Sequence, residues 1–336
     1  AYLKLFYYQK ETTALVPAGH LLGYEEILLH TKDDRNQTVV KLFEPAKDWD
    51  AALQVEETDR NIVIRGADFT YVYEKRTGLF SQMNYGGKAY LDHPMELNIW
   101  RAPADNDMYI KTEWKRAQYD QAFARAYETR ILKGETKVEF FCRMSLAAAS
   151  VQPMMEIGAV WTVDCSGRLG VTMRVHRNTE FPELPRFGLR LFLNRELDQV
   201  CYFGMGPYES YIDKHQASLH GQYHTSVLKL QEDYIRPQEN GSHTDCDYVT
   251  LSHDDYSLTA VSEHTFSFQA SVYTQEELEQ KMHYHELEPS DSTILCLDYA
   301  QNGMGSNSCG PKVLEKYCFN EETFTFSIHL VPFVKN

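Results

Sequence analysis

Apolar and polar residues alternate along most of this chain, and a period of two residues is typical of β-strands. The clearest alternating stretches cover residues 69–74, 138–144, 169–176 and 323–331. Turn signals such as Tyr85-Gly86-Gly87 separate these stretches. Because helical periodicity is nearly absent, the pattern predicts an all-β chain whose main body is a large antiparallel β-sandwich.

Two segments interrupt the alternation and are predicted to be helices. In the first, residues 112–129, apolar and small side chains fall loosely on one side of a helical projection. The second, residues 274–280, opens with a capping box in which Thr274 accepts from the backbone of Glu277 and the Glu277 carboxylate reaches back. No alternation of strands and helices follows, so the sequence does not encode an eightfold β/α barrel.

The first 50 residues have a different organisation from the rest. They hold two strand-like stretches and a shorter third one, at residues 3–7, 21–29 and 39–43. So few strands do not make a stable sheet alone, and the chain opens with Ala1 inside a strand pattern, so this part is predicted to be the tail of a β-sandwich that begins upstream. The polar interval around the third stretch predicts a boundary between a region 1–50 and a main domain 51–336.

Charge and composition narrow the classes of partner. The formal net charge is −15, from 33 Lys and Arg against 48 Asp and Glu, and the chain has no run of five basic residues. A polyanion would be repelled, so a nucleic-acid partner is not expected. No stretch approaches the roughly 20 consecutive apolar residues needed to cross a bilayer, so no membrane span is expected either.

The seven cysteines are scattered, odd in number and free of any C-x-x-C pair. This pattern supports neither a zinc site nor a disulfide framework, and it favours buried free thiols. The sequence therefore fits residence in the cytoplasm.

Four polar loop motifs interrupt the strand pattern. Each joins Gly or Pro, which fix backbone geometry, to side chains rich in hydroxyl, amide and carboxylate groups. In chain order they are Trp100-Arg101-Ala102-Pro103-Ala104-Asp105-Asn106-Asp107, Gly204-Met205-Gly206-Pro207-Tyr208-Glu209-Ser210-Tyr211-Ile212-Asp213-Lys214, Arg236-Pro237-Gln238-Glu239-Asn240-Gly241-Ser242-His243 and Gly303-Met304-Gly305-Ser306-Asn307-Ser308-Cys309-Gly310-Pro311. This combination predicts a site for a neutral ligand covered in hydroxyl groups, such as a sugar.

The first and last motifs supply the predicted substrate-binding residues. The glycine-rich loop at residues 303–311 is stiff and is expected to project Asn307, Ser308 and Cys309 outward; the alternative is an elaborate connection between strands. The other predicted contacts come from the first motif, and they are Arg101, Asp105, Asn106 and Asp107. Those acidic and amide groups could bind sugar hydroxyls, hold a turn or ligate a cation, but a calcium loop needs a Gly at its sixth position, which this segment lacks.

The second motif places two carboxylates, Glu209 and Asp213, four residues apart. A glycosidase needs such a pair about 5 to 5.5 Å apart for retention or about 6.5 to 9.5 Å apart for inversion, and sequence spacing does not establish a distance. The preferred interpretation is structural. Glu209 would accept backbone N–H groups and Asp213 would pair with Lys214 or Arg236.

Two histidine pairings raise further possibilities. Glu239 and His243 of the third motif form a candidate acid–base pair for proton transfer on a sugar ring, with a structural role as the alternative. His283 and His285 would lie on one face of a strand, but no third ligand is suggested nearby. No metal site is therefore predicted in this chain.

Taken in order, the four motifs resemble the carboxy-terminal part of the bacterial β-galactosidases of glycoside hydrolase family 2. The matching patterns are R-A-P-x-D-N-D, G-x-G-P-x-E-x-Y-x-D, P-Q-E-N-G-x-H and the terminal glycine-rich loop, and the resemblance covers residues 55–332. It implies a large β-domain, the supersandwich similar to galactose mutarotase, preceded in residues 1–50 by the last strands of an immunoglobulin-like domain.

The same resemblance implies that this chain holds no catalytic residues. In the family the two catalytic glutamates and the magnesium site lie in a preceding β/α barrel, so no cofactor is expected here. The chain would complete the active-site rim for a terminal β-D-galactoside, with the barrel domain or large subunit as its partner in a homo-oligomeric enzyme. A segment after Asp107 would form a gating loop.

One departure concerns specificity, and two other functions stay open. Several family members carry a Trp where this sequence has Cys309, and a thiol does not offer the broad apolar face on which a sugar ring stacks. The alternatives are a stand-alone mutarotase-like aldose epimerase that uses Glu239 and His243, and a non-catalytic sugar-binding or assembly module.

Overall fold

The computed structural model describes residues 1–29, 41, 52–134 and 136–335. Its strands, in chain order, are β1 Tyr2–Tyr8, β2 Leu21–Leu28, β3 Gln54–Glu57, β4 Asn61–Arg65, β5 Phe69–Glu74, β6 Leu79–Tyr85, β7 Lys88–Ala89, β8 Leu91–Asn98, β9 Phe123–Lys133, β10 Lys137–Ala147, β11 Met155–Asp164, β12 Leu169–Arg177, β13 Arg186–Asn194, β14 Gln199–Gly206, β15 Leu219–Ser226, β16 Ser242–His253, β17 Tyr256–Ser271, β18 Ser292–Gln301 and β19 Thr323–Val334. Among the described residues, the α-helices with defined bounds are α1 Ile110–Arg116 and α2 Gln275–Gln280. The predicted all-β fold class is confirmed.

Twelve strands form one antiparallel sheet that branches. Its main path runs β15-β14-β16-β17-β19-β12-β11-β10-β9, while β18, β13 and β8 form a side branch. The branch arises because β17 is 16 residues long: its first half, near Leu258, pairs with β19, and its second half, near Phe268, pairs with β18. The two branches diverge from this strand, and the fourth loop motif follows the end of β18.

A five-stranded sheet, β3 to β7, packs against the large sheet through aromatic side chains. Tyr73 stacks on Phe140 with ring centroids 5.0 Å apart, and Phe80 meets Trp161 edge-on at 5.1 Å. The indole N–H of Trp161 donates to the carbonyl of Gly78 at 3.0 Å, so the ring's one polar atom is satisfied. These contacts build the sandwich core from the inward-facing positions of the alternating strands.

The first two strands form a separate antiparallel pair that contacts β15. Tyr2 stacks on the ring of His220 at 4.3 Å, and the Glu26 carboxylate accepts the backbone N–H of His220 at 3.0 Å. Both predicted strands are present. The third predicted stretch, 39–43, lies outside the described residues except for residue 41, so the division between 1–50 and 51–336 stays a prediction.

The longer predicted helix is wrong over most of its length. Only α1 and a 3-10 turn at Tyr119–Gln121 are helical, and residues 123–129 belong to β9. Gln118, with φ of +58° in the left-handed region, separates α1 from the 3-10 turn, so the α-helix does not continue. Pairing of β9 with β10 then overrides the helix propensity of the alanines that follow.

The shorter predicted helix is confirmed, together with half of its capping box. The hydroxyl of Thr274 accepts the backbone N–H of Glu277 at 3.1 Å. The Glu277 carboxylate does not reach back; it accepts the backbone N–H of Glu288 at 2.7 Å instead. Within the described ranges, neither helix has the length and apolar character needed to span a membrane.

Candidate functional site

The four loop motifs meet in space and form what we call the loop cluster, residues 100–107, 204–214, 236–243 and 302–311. Arg101 lies at its centre with a fully buried side chain. Its guanidinium makes a two-point ion pair with the Asp107 carboxylate, at 2.7 and 3.1 Å, and donates to the carbonyls of Asn302 at 2.6 Å and Gly303 at 3.1 Å. The first motif therefore fixes the start of the fourth.

Burial and charge oppose each other at Arg101. Removal from water would lower the pKa of the guanidinium, but the Asp107 carboxylate beside it, and Glu239 further away, raise the pKa above its ordinary value. Arg101 and Asp107 were predicted to contact substrate. Arg101 binds the backbone at the start of the glycine-rich loop, and Asp107 holds Arg101 while also lining the cavity described below. Their contact with substrate stays a prediction.

Two further side chains hold the backbone of the glycine-rich loop. The Asp213 carboxylate accepts the backbone N–H groups of Met304 and Gly305, both at 2.8 Å. Asn106 donates its amide N–H to the carbonyl of Gly305 at 2.8 Å and accepts the hydroxyl of Ser308 at 2.8 Å. The predicted pairing of Asp213 with Lys214 or Arg236 is wrong: Asp213 accepts these two backbone N–H groups, and Lys214 pairs with Glu209 instead.

Gly305 is required at its position in the loop. Its φ of +60° lies in the left-handed region, and an added Cβ would stand 2.6 Å from a methyl carbon of Val313. A side chain here would be strained both by the backbone conformation and by this contact.

Glu209 fastens the second motif to the third. Its carboxylate accepts the backbone N–H of Gly241 at 2.9 Å and the hydroxyl of Tyr234 at 2.5 Å, and it pairs with Lys214. The predicted structural role of Glu209 as an acceptor of backbone N–H groups is confirmed. Both carboxylates of the motif, Glu209 and Asp213, are thus engaged in holding loops.

Glu239 and His243, the pair suggested for an epimerase, are each about 1 % exposed. The imidazole Nδ1 of His243 lies 3.0 Å from the carbonyl oxygen of Met205, and burial lowers the pKa of His243 to about 4. Burial raises the pKa of Glu239 to about 7, against the opposing effects of Arg186 and Arg101. Both groups are enclosed in the protein, away from any ligand in solution.

Sequence reasoning missed a buried ionic network beneath these residues. Arg186 donates to both oxygens of Asp298, at 2.5 and 3.1 Å, to Glu239 at 3.3 Å and to the Gln269 side chain at 3.0 Å. Arg186 and Asp298 lie in β13 and β18, whose central residues are mainly apolar and buried. A charged residue within such a strand was the signal that could have identified them, because buried charges require partners.

A cavity of about 360 Å³ opens beside the loop cluster. Its walls come from the first motif, from α1 and from the segment after the glycine-rich loop, and they include Asn106, Tyr109, Glu113, Glu183, Asn307 and Lys312. Carboxylate, amide, ammonium and phenol groups at its wall are the kinds of group that bind sugar hydroxyls.

The predicted contacts are distributed unevenly around this cavity. Asn307 lines it and is half-buried, whereas Ser308 and Cys309 are exposed at the tip of the loop. Asp105 is exposed on the other side of the first motif, where its backbone N–H donates to the Gln238 side chain at 2.9 Å. Three of the seven predicted contacts, Asn106, Asp107 and Asn307, therefore line the cavity.

The described residues also include a concave region with a larger volume, about 810 Å³, on the exposed face of the large sheet. We call it the outer groove; its lining includes Phe141, Arg143, Gly158, Thr172, Arg174 and Thr325. The lining residues come from β9, β10, β11, β12 and β19. None of the four loop motifs contributes to the lining.

The chain was compared with known proteins. The family model described as "Beta galactosidase small chain" matches residues 65–330, which is most of the chain. The chain belongs to this family. The resemblance proposed from the four motifs is therefore confirmed.

Similar curated proteins carry the name β-galactosidase. The protein from Actinobacillus pleuropneumoniae is 38% identical over 329 residues, covering 98% of this chain and 32% of its own length. The protein from Staphylococcus xylosus is 34% identical over 310 residues, covering 92% of this chain and 30% of its own length. The chain thus spans about a third of the length of these relatives.

Similar solved structures include galactose 1-epimerase from Lactobacillus acidophilus, with a TM-score of 0.47 and 8% identity, covering 85% of this chain and 100% of that chain. A galactose mutarotase-like protein from Lactobacillus casei has a TM-score of 0.43 and 10% identity, covering 82% of this chain and 99% of that chain.

Proposed function

We propose that this chain is the carboxy-terminal part of a β-galactosidase and completes the rim of an active site whose catalytic glutamates lie in another region of the enzyme. The relatives named β-galactosidase are about three times as long as the matched region, which leaves room for a catalytic partner region. The whole enzyme would hydrolyse terminal β-D-galactosides with retention, through two carboxylates and a covalent glycosyl intermediate.

The observation that carries the proposal is that the first and second loop motifs both bind the backbone of the fourth, the glycine-rich loop. Arg101, Asp213 and Asn106 all bind its backbone, so its tip is held in one position although it is exposed. Holding a polar tip rigidly at a cavity lip suits contact with a sugar or its aglycone, because little conformational entropy is lost on binding. Asn307 and Cys309 are the residues proposed to make that contact.

The contacts of the carboxylates in the loop cluster favour a role at the rim of the active site over a role in acid–base catalysis. Glu209 and Asp213 accept backbone N–H groups, and Glu239 and His243 are enclosed. A stand-alone epimerase would need its acid and base to reach the ring oxygen and the anomeric hydroxyl of a sugar. The buried positions of Glu239 and His243 disfavour that alternative.

The proposal is tested in two parts. The purified chain is expected to show no turnover of o-nitrophenyl β-D-galactoside and no acceleration of α-galactose mutarotation in a polarimeter. In the whole enzyme, Asn307→Ala and Cys309→Ser are expected to change KM for this substrate or for lactose by about 2- to 10-fold, the equivalent of one hydrogen bond.

The control for the second part is Thr325→Ala in the outer groove, which is expected to leave KM and kcat unchanged. Unchanged kinetics after both loop substitutions would contradict the rim role. Turnover of the galactoside by the purified chain would contradict the assignment of catalysis to another region.

A further inference from the structure

A turn between α2 and β18 brings two imidazoles and a carboxylate together. His283, His285 and Glu286 each offer a ligand atom, and these atoms all lie within 4.8 Å of one another. Nδ1 of His283 is 3.0 Å from a carboxylate oxygen of Glu286, and the two imidazole rings stack with centroids 5.4 Å apart. We propose that these three side chains form a surface site for a divalent transition metal of the zinc type.

The backbone of the turn produces this arrangement. The segment is a 3-10 turn, Tyr284–Glu286, preceded by His283 in an extended conformation, and not the strand expected from the sequence. Glu286, which sequence reasoning did not associate with the histidines, comes three residues after His283, and a 3-10 turn places such residues on the same side. The third ligand is therefore a product of this turn.

The carboxylate is oriented before any metal arrives. Oε2 of Glu286 accepts the backbone N–H groups of Met282 at 2.9 Å and His283 at 3.2 Å. The other oxygen, Oε1, faces His283 and is the one available to a metal. Ligating carboxylates are commonly fixed by hydrogen bonds of this kind, which reduce the ordering that metal binding requires.

The turn is also tied to the rest of the protein. The backbone N–H of Tyr284 donates to the carbonyl of Ile235 at 3.2 Å, and Leu287 packs against the hydrophobic core. On the other side, the backbone N–H of Glu288 donates to the Glu277 carboxylate of α2 at 2.7 Å. The ligands thus project from a backbone held on both sides.

The donor set selects the class of metal. Imidazole nitrogens with one carboxylate oxygen suit zinc, nickel or copper, whereas calcium and magnesium require a shell made mainly of oxygen atoms. Zinc–nitrogen bonds of about 2.0–2.1 Å in a tetrahedral site place ligand atoms about 3.3–3.5 Å apart. The imidazole of His283 is more than half exposed, so a small side-chain rotation can close the remaining gap.

The proposal is tested by titrating zinc into the metal-stripped protein and measuring heat. The experiment uses a Cys309→Ser background, which removes the exposed thiol as a competing ligand. We expect the double variant His283→Ala/His285→Ala to bind one equivalent of zinc fewer than its parent. Glu286→Gln, which can still accept the two backbone N–H groups, is expected to weaken this equivalent by at least about tenfold.

The matched control is His253→Ala. This partly exposed histidine also lies beside a carboxylate, with its Nε2 3.6 Å from Asp254, but it is not part of a three-ligand group. We expect it to leave zinc stoichiometry unchanged. Equal stoichiometry and affinity in the parent and in the His283→Ala/His285→Ala double variant would overturn the proposal.

A second measurement separates direct ligation from an indirect effect. Copper(II) bound by the parent is expected to show hyperfine coupling to two imidazole nitrogens in its electron paramagnetic resonance spectrum. The coupling should be lost in the double variant while its metal-free thermal unfolding stays the same, because both substituted side chains are exposed. An unchanged copper spectrum in the double variant would count against the site. Either result is independent of the proposed galactosidase role, which concerns a different surface.

Discussion

Two concave regions of the described residues have walls built in opposite ways. The outer groove, about 810 Å³, is formed by regular strands and includes solvent-facing side chains such as Phe141 and Arg174. The cavity beside the loop cluster is smaller, about 360 Å³, and is walled by loops and by α1. Buried polar side chains such as Arg101 bind the backbone of those loops.

The difference shows that volume and the burial of polar side chains single out different regions of this fold. A polar side chain in the groove reaches water, so its removal leaves no group unsatisfied. A polar side chain under the loop cluster satisfies backbone groups that have no water available. Its removal leaves those backbone groups without a hydrogen-bond partner. The convergence of such residues, and not the size of the opening, identifies the region on which sequence and structure agree.

The most severe test of this contrast is Arg101→Met. The substitution leaves the Asp107 carboxylate buried without its partner and removes the donor to two carbonyls, so the free energy of unfolding is expected to fall by about 3–5 kcal/mol. Urea unfolding followed by tryptophan fluorescence measures the loss. The matched substitution in the outer groove, Arg174→Met, is expected to change the same quantity by less than about 0.5 kcal/mol. Similar losses in the two variants would remove the contrast.

A pH-dependent test uses His243 under the loop cluster and the exposed His176 on the face of the large sheet that bears the groove. Burial lowers the pKa of His243 to about 4, whereas an unfolded histidine has a pKa of about 6.5. Between these values the unfolded chain binds a proton that the folded protein does not. The stability contributed by neutral His243 is therefore complete above pH 6.5 and falls by about 3 kcal/mol as the pH drops to 4.

The measurement compares the wild type with His243→Asn, which keeps a donor for the Met205 carbonyl, by urea unfolding at pH 7 and pH 4.5. The advantage of the wild type over the variant is expected to shrink at the lower pH. His176→Asn, at an exposed position of the large sheet, is the control for replacing a histidine by an asparagine. A difference between the wild type and His243→Asn that does not change with pH would mean that water reaches the His243 imidazole.

Glycine substitutions sharpen the comparison at the level of the backbone. Gly305→Ala places a Cβ at φ +60° and 2.6 Å from Val313, so we expect a loss of about 1–3 kcal/mol in the free energy of unfolding. Gly158→Ala in the outer groove meets open space, and is expected to be neutral or slightly stabilising. Thermal unfolding of the two variants measures both effects. A neutral Gly305→Ala would show that the loop can relax around the new side chain.

Much of the fold was predictable because alternation along a strand reports directly on which side chains face the core. The predicted strands at 69–74, 138–144 and 169–176 are all present. The helix predicted at 112–129 failed because exposed strands at a sheet edge carry weak alternation, and β9 pairs on one side only, with β10. Its alanines then indicated a helix that tertiary pairing overrides.

The sequence predicts which loop motifs belong to the candidate site, but it does not predict what each of their side chains contacts. Composition and spacing indicate that Arg101 and Asp213 belong to rigid polar loops, yet they do not show whether a side chain turns outward to a ligand or inward to another loop. That choice depends on contacts between segments about 90 to 200 residues apart, such as Arg101 with Asn302 and Asp213 with Met304. Hydrogen bonds of that range leave no pattern in the local sequence.

The smallest effect is expected where the loop cluster meets solvent, at Asn106. Its amide bridges the carbonyl of Gly305 and the hydroxyl of Ser308, so Asn106→Ala should cost about 1 kcal/mol and loosen the loop locally. Trypsin digestion measures this loosening as faster cleavage after Lys312, which is exposed on the following segment.

The control is Thr172→Ala in the outer groove, where the hydroxyl also makes an exposed hydrogen bond, to Ser327 at 3.0 Å. Cleavage after Lys312 should be unchanged in this variant, because its hydrogen bond joins two strands that the ladder already fixes. Asn106→Asp refines the test further, since the carboxylate can still accept from Ser308 but opposes the carbonyl of Gly305. If Asn106→Asp digests as slowly as the wild type, the bond to Ser308 alone holds the loop, and the donor to Gly305 contributes little.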